Sequence, residues 1–180
     1  TCFIRWVKEV AANVSADIIA IDGKTARRSF STKDRKNALH MVSAWSCGHG
    51  LVLGQQKVDK KSNEITAIPK LLDLLDVKGC TVTLDAMGCQ HKIAEHIIEK
   101  GGDYVIALKG NQGQLNEEVK AWFHIAEREQ FNDIAYSQNE ETDAGHGRIE
   151  VRRCLQLEMT NHWLSDKEKW SSIKTVVRIN

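Results

Sequence analysis

The sequence predicts a mixed α/β fold in which an antiparallel three-stranded start gives way to alternating helices and strands. Three observations carry that reading. The run Asp17-Ile-Ile-Ala-Ile-Asp22 is almost continuously apolar, as a strand at the centre of a sheet is. Two further strand-like runs, 38–46 and 51–58, flank Cys47-Gly-His-Gly50, a glycine-bearing turn short enough for an antiparallel hairpin. From residue 63 onward, helical and strand periodicities alternate, so a strand after the first crossover lies parallel beside the first.

Residues 3–11 place Phe3, Trp6, Val7 and Val10 on one side of an amphipathic helix. After the three strands, Asn63 or Thr66 caps a helix running to about Asp76, with Ile65, Ile68, Leu71, Leu72 and Leu75 inward. Pro69, the only proline, fits the first turn of a helix that begins at Thr66. A strand at 80–85 follows, then a helix at 90–100 with Ile93, Ile97 and Ile98 inward and Gly101 as its stop. A strand at 103–108 leads to a helix over 114–129 carrying Leu115, Val119, Trp122, Phe123 and Ala126. Beyond 130 the chain is polar as far as Gly147, then alternates from Arg148 to Leu157, and 173–179 reads as a last strand. The expected organisation is the end of a helical segment at 1–16, a core at 17–130, and a polar segment with a β insertion at 131–180. The missing initiator Met fits either processing or a chain that begins inside a longer protein, and Thr1 leading straight into a helical pattern favours the second.

The bulk numbers exclude several classes. A chain of 180 residues, 42% apolar and 27% charged, suits one sizeable globular domain. It has no apolar stretch of membrane-spanning length and no signal-peptide pattern. Cys2, Cys47, Cys80, Cys89 and Cys154 form an odd set without a Cys-x-x-Cys pair, which fits reduced cytosolic thiols, Cys80 acting as a small hydrophobe. The pairs Cys47/His49 and Cys89/His91 are spaced too tightly for an ordinary zinc site. Net charge is only +1, but it is unevenly spread. The segment 24–36 is basic through Lys24, Arg27, Arg28, Lys33, Arg35 and Lys36, whereas 127–143 is acidic. A basic segment beside an acidic strand tip suits a polyanionic substrate, and a solvated basic loop is the bland alternative.

Asp22 and Asp85 each end an apolar run and lead straight into a glycine-containing turn. A buried unpaired carboxylate costs several kcal/mol, so acids in such places call for a partner. One reading is a shared divalent cation at neighbouring strand tips; the other is that both acids start turns. A phosphate-binding P-loop is excluded because Ile18 stands where its first glycine belongs. Lys24 likewise stands where a phosphotransfer Asp-x-Asp-x-Thr motif has its second Asp, and no Ser or Cys has a triad context. Paired carboxylates with lysines nearby favour metal-assisted phosphoryl transfer.

Six ordered blocks carry a resemblance: Ile-Ala-Ile-Asp-Gly-Lys-Thr (19–25), Ala-Leu-His-Met-Val-Ser-Ala-Trp (38–45), Lys-Ser-Asn-Glu-Ile-Thr-Ala-Ile-Pro (61–69), Val-Thr-Leu-Asp-Ala-Met-Gly-Cys-Gln (82–90), Asp-Tyr-Val-Ile-Ala-Leu-Lys-Gly-Asn-Gln (103–112) and Gly-His-Gly-Arg-Ile-Glu-Val-Arg-Arg (145–153). Together they resemble the H-repeat-associated proteins, a bacterial insertion-sequence transposase family with a DDE-type catalytic domain. The resemblance implies an RNase H-like mixed sheet with flanking helices, Asp22 and Asp85 as the first two acids of the triad, and Mg²⁺ or Mn²⁺ as cofactor. It implies DNA partners (transposon ends and target), a homo-oligomer as a further candidate partner, no membrane, and a bacterial cytoplasmic, nucleoid-associated location.

The family's third acid, a Glu in a His-Trp-x-Ile-Glu-Asn type motif, is absent. Asn161-His162-Trp163-Leu164-Ser165 shares only the His-Trp pair, so an impaired catalyst is expected. Glu150 is the substitute candidate, ahead of Glu158, Glu140 and Glu141; on a strand it shares a face with Arg148 and Arg152, which favours a salt-bridged ladder. Lys24, Arg27, Arg28 and Lys109 near the acids, and His146, Arg148, Arg152 and Arg153 further on, are candidate phosphate contacts. Two rival functions stay open: a remnant that binds DNA or a partner without chemistry, and a non-transposing RNase H-like nuclease.

Overall fold

A computed structural model describes residues 16–26, 39–58, 63–145, 148–159, 164–170 and 172–180. The helix expected at 3–11, Arg27, Arg28, His146 and the His-Trp pair at 162–163 lie outside the described residues. The chain divides into two compact units, Thr1–Asn111 and Gln112–Asn180.

In the first unit, β1 (Ile18–Ala26), β2 (Leu39–Ser46), β3 (Leu51–Lys57), β4 (Thr81–Leu84) and β5 (Asp103–Ile106) form one sheet in the order β3-β2-β1-β4-β5. β1 is antiparallel to β2, and β2 to β3, with a register shift between Ala44 and Trp45. β4 runs parallel to β1, and β5 parallel to β4. Strand alternation sets the inner face: Ile19, Ile21, Val42, Ala44, Val82 and Leu84 are buried, and Tyr104 and Ile106 pack against them. The other face keeps Ile18, Trp45 and Val105 exposed.

Two helices cover the inner face. α1 (Glu64–Leu74) buries Ala67, Ile68, Leu71 and Leu72, and α2 (His91–Glu99) buries Ile93, Ala94 and Ile97. Each fully buried Leu or Ile contributes roughly 1.5–3 kcal/mol, so this stripe dominates the helix's own propensity. Of the two starts the sequence offers, α1 takes the one after Asn63 and not the one at Thr66. Its first turn reaches back to Glu64, Thr66 donates both its N–H and its hydroxyl to the Asn63 carbonyl, and Asn63 gives no side-chain cap. Pro69 therefore lies in the second turn, where it removes the N–H that would meet the Ile65 carbonyl. α2 stops as expected: Gly101 adopts φ +75°, and the N–H groups of Gly101 and Gly102 return to the carbonyls of Ile98 and Ile97.

In the second unit, β6 (Tyr136–Gly145), β7 (Arg148–Glu158) and β8 (Thr175–Ile179) form an antiparallel sheet in that order. α3 (Gly113–Arg128) buries Leu115, Trp122, Phe123 and Ala126. Trp122 donates its ring N–H to the Glu158 carbonyl at 3.0 Å, and the Arg178 guanidinium stacks on Phe123 while pairing with Glu127. That hydrogen bond holds the Glu127 carboxyl below its ordinary value. β6 corrects the expectation of a merely polar segment. It lacks apolar alternation, yet Glu140 and Glu141 stand opposite Arg153 and Arg152, so charge pairing replaces hydrophobic register.

Candidate functional site

Parallel pairing of β1 and β4 decides where the two candidate acids fall. The Asp17 carbonyl accepts the Thr81 N–H at 2.9 Å, and the register runs through Ile18↔Thr81, Ile19↔Val82 and Ala20↔Thr83 to Ile21↔Leu84. The next residue on each strand is an aspartate, Asp22 on one and Asp85 on the other. Neighbouring strands run about 4.7–4.9 Å apart, so the backbones of the two acids are adjacent. β5 continues the row, because Leu84 pairs with Ile106 and the Ala107 N–H reaches the Leu84 carbonyl. The carboxyl ends of parallel strands are where open α/β sheets take ligands.

The two acids are held differently. Asp85 caps a single 3-10 turn, Ala86–Gly88, its Oδ1 accepting the N–H groups of Met87 at 3.0 Å and Gly88 at 3.3 Å. Its turn role thus uses one carboxylate oxygen and leaves Oδ2 without a hydrogen bond among the described residues. Asp22 starts no turn: β1 continues through Ala26 because Gly23, Lys24, Thr25 and Ala26 pair with Val42, Met41, His40 and Leu39. The turn expected after Asp22 is thereby corrected. The Asp22 carboxylate is 57% exposed, with the Lys24 ammonium 3.5 Å away.

Lys109 lies exposed in the loop after β5, and Asn111 ties that loop to the Asp85 turn by donating to the Ala86 carbonyl at 2.6 Å. Of the other candidate cations, the Arg148 side chain lies outside the described residues, like Arg27 and Arg28. Arg152 and Arg153 belong to the second unit and are engaged with carboxylates, Arg152 with Glu150 and Arg153 with Glu140, both at 2.6 Å. Glu140 pushes the already high Arg153 value further up. Glu150 therefore stands in a ladder with Arg152 and opposite Asp143.

One group of site-adjacent residues went unread in the sequence. Glu64, in the first turn of α1, accepts a hydrogen bond from His40 Nε2 at 2.6 Å, and His40 Nδ1 meets the Thr25 hydroxyl at 2.8 Å. The Glu64 carboxylate fills the space beside Gly23, the residue after Asp22, where any Cβ would collide with it. Only the block Lys-Ser-Asn-Glu hinted at Glu64, and no spacing rule joins it to β1.

A second cluster assembles Ser46, His49 and Asp17, the residue types of a hydrolase triad. Ser46 is fully buried and donates its hydroxyl to Asp17, which also accepts the N–H groups of Ile18 at 2.7 Å and Gly48 at 2.8 Å. Burial pushes the Asp17 carboxyl up, but the bonds from Ser46, Gly48, Ile18 and His49 outweigh it and hold the carboxyl below its ordinary value. This is a staple on the hairpin turn, and Ser46 is too buried to act as a nucleophile.

Two carboxylates with open oxygens are hard donors of the kind Mg²⁺ and Mn²⁺ prefer. Their kind fits such an ion and their number falls short: among the described residues, no three His, Cys, Asp or Glu cluster to hold one. No helix among them is long and apolar enough to cross a membrane.

The family model described as the transposase DDE domain matches residues 14–174. "H repeat-associated putative transposase YbfD" of Escherichia coli (strain K12) is 49% identical over 150 residues, covering 83% of this chain and 58% of that protein. "H repeat-associated putative transposase YhhI" of the same organism is 43% identical over 173 residues, covering 96% of this chain and 45% of that protein. The chain thus spans about half the length of the curated relatives it matches.

Proposed function

The chain belongs to the transposase DDE domain family, and from that membership we propose that it is the catalytic-core portion of an insertion-sequence transposase built on an RNase H-like sheet. The strand order β3-β2-β1-β4-β5, antiparallel over the first three strands and parallel over the rest, supports the RNase H-like reading. The observation that carries the function is the β1/β4 register, which sets Asp22 and Asp85 side by side at the carboxyl ends of adjacent parallel strands.

Asp22 and Asp85 would hold Mg²⁺ or Mn²⁺, which when bound supplies Lewis-acid polarisation of a phosphodiester and activation of the attacking oxygen. Asp85 presents Oδ2, because its Oδ1 is committed to the Met87 and Gly88 amides, and that commitment fixes the carboxylate's orientation. Lys24 and Lys109 supply positive charge for the phosphate backbone on either side of the acids. In the complete protein the reaction is hydrolysis at transposon ends, freeing a 3′-hydroxyl, followed by attack of that hydroxyl on target DNA. The proposed partners are DNA and further copies of the chain, in the bacterial cytoplasm at the nucleoid.

A second reading is a remnant that binds DNA without cutting it, favoured by the lack of a third clustered acid among the described residues. Calorimetric titration of Mn²⁺ into the chain and into Asp85→Asn tests the site: weaker binding by the variant is expected, and identical heats overturn the metal reading. Nicking of a repeat-end duplex by the chain would overturn the remnant reading.

A further inference from the structure

We infer that Glu64, His40 and Thr25 form a positioning relay for Asp22, an inference that rests on the proposed role of Asp22 as a cation-binding acid. The need for such a device follows from the sheet. β1 loses its β4 partner after Ile21↔Leu84, so from Asp22 onward the strand is paired on one side only, to β2. A strand end paired on one side frays more readily than one flanked by two neighbours.

The relay leaves that edge open and braces the stretch from one face of the sheet instead. Gly23 and Thr25 alternate with Asp22 and so face the side of the sheet that α1 covers. On that side three elements meet in one chain of hydrogen bonds: Thr25 from β1, His40 from β2 and Glu64 from α1. Thr25 and His40 are direct cross-strand partners, and the Glu64 carboxylate is mostly buried, with 16% of its side-chain surface exposed. With a carboxylate on Nε2, that nitrogen carries the proton and Nδ1 accepts the Thr25 hydroxyl, so one imidazole orientation serves both bonds. A carboxylate buried in this way is worth keeping only with a strong donor, which His40 supplies.

Gly23 explains why the seat exists. It has no positive φ to accommodate, so its lack of a side chain serves space: the Glu64 carboxylate lies where a Cβ would be. The relay therefore clamps the β1 backbone one residue beyond Asp22, from the face opposite the carboxylate. Glu64 acts through the backbone and does not itself reach the proposed ligand.

Two variants test it without relying on one fold change. Glu64→Ala deletes the acceptor; Gly23→Ala keeps every relay group and evicts the Glu64 carboxylate from its seat. Amide hydrogen exchange over Asp22–Ala26 and Mn²⁺ affinity are measured on both, with Glu64→Gln as the conservative variant that preserves an acceptor for His40. Faster exchange over Asp22–Ala26 and Mn²⁺ affinity weaker by about tenfold are expected for both alanine variants, the usual scale for loss of a residue supporting a metal ligand. Glu64→Gln is expected to restore both readouts to near the parent values. Parent-like Mn²⁺ affinity in the alanine variants, or no rescue by Glu64→Gln, overturns the relay. If the parent chain binds no Mn²⁺, the metal reading fails separately; hydrogen exchange then decides the relay alone, faster exchange supporting it and unchanged exchange overturning it.

Discussion

The four residues of β1 that pair with β4 are flanked by two aspartates, and the molecule uses them in opposite ways. Asp17, before Ile18, is buried and gives its carboxylate to Ser46, Gly48 and Ile18, fastening the β2–β3 turn to the start of the central strand. Asp22, after Ile21, is exposed, and its described partner is an exposed lysine on its own strand. One acid is consumed by the fold, and the other is left for a ligand. A carboxylate surrounded by donors stabilises the chain that orders them, whereas a carboxylate with open oxygens contributes little to stability and remains chemically available.

Removing the buried acid is the largest way to test that contrast. Asp17→Ala leaves the buried Ser46 hydroxyl without its acceptor and frees the Gly48 N–H to water, and a loss of about 1–3 kcal/mol is expected in urea unfolding. A cost near zero would erase the distinction between the two ends. Acidity gives the same contrast in another form. Since the folded chain holds the Asp17 carboxyl below its ordinary value, its stabilisation is present above that ordinary value and drains away as pH falls through the lowered folded value. Asp17→Asn should therefore lose less stability than the parent in acid-unfolding curves, and equal losses would count against the staple.

The exposed acids should behave in the reverse manner. Asp22→Asn and Asp85→Asn are expected to change stability by no more than about 0.5 kcal/mol, the ordinary range for a surface site, while weakening Mn²⁺ binding in calorimetry. A large loss of stability in Asp22→Asn would move that residue into the structural class with Asp17. Smaller still is the effect expected of Lys24→Gln, whose side chain is 83% exposed. It should weaken DNA binding evenly across sequences and reduce the salt slope of log affinity by about one. Smallest is Glu150→Gln: its exposed pair with Arg152 is worth about 0–1 kcal/mol, and Mn²⁺ affinity should not move. A fall in that affinity would return Glu150 to the list of candidate ligands.

Much of the first unit is legible in the residues because burial writes itself into periodicity. The apolar run at 18–21, the hairpin around Cys47–Gly50 and the inward stripes of α1 and α2 follow from which side chains must leave water, except that Ile98, expected inward, is exposed near the end of α2. β6 was not legible for the complementary reason. Tyr136–Gly145 has no apolar face of its own, and its extended state rests on the backbone ladder to β7, across which Glu140 pairs with Arg153. Reading Asp22-Gly23 as a turn failed likewise: the local sequence fits one, but the bonds of Gly23–Ala26 to β2 outweigh it.

By itself, then, the sequence determined the alternation of strands and helices, the family, and Asp22 and Asp85 as acids at the ends of apolar runs, since each depends on residues close together in the chain or on ordered blocks. Tertiary structure alone decided that Leu84 pairs with Ile21 and so makes the two acids neighbours, that Asp17 is spent on the hairpin turn, and that Glu64 sits against Gly23. Those facts join residues distant in the chain through sheet register and close packing, and neither leaves a periodic mark in the sequence for a local rule to find.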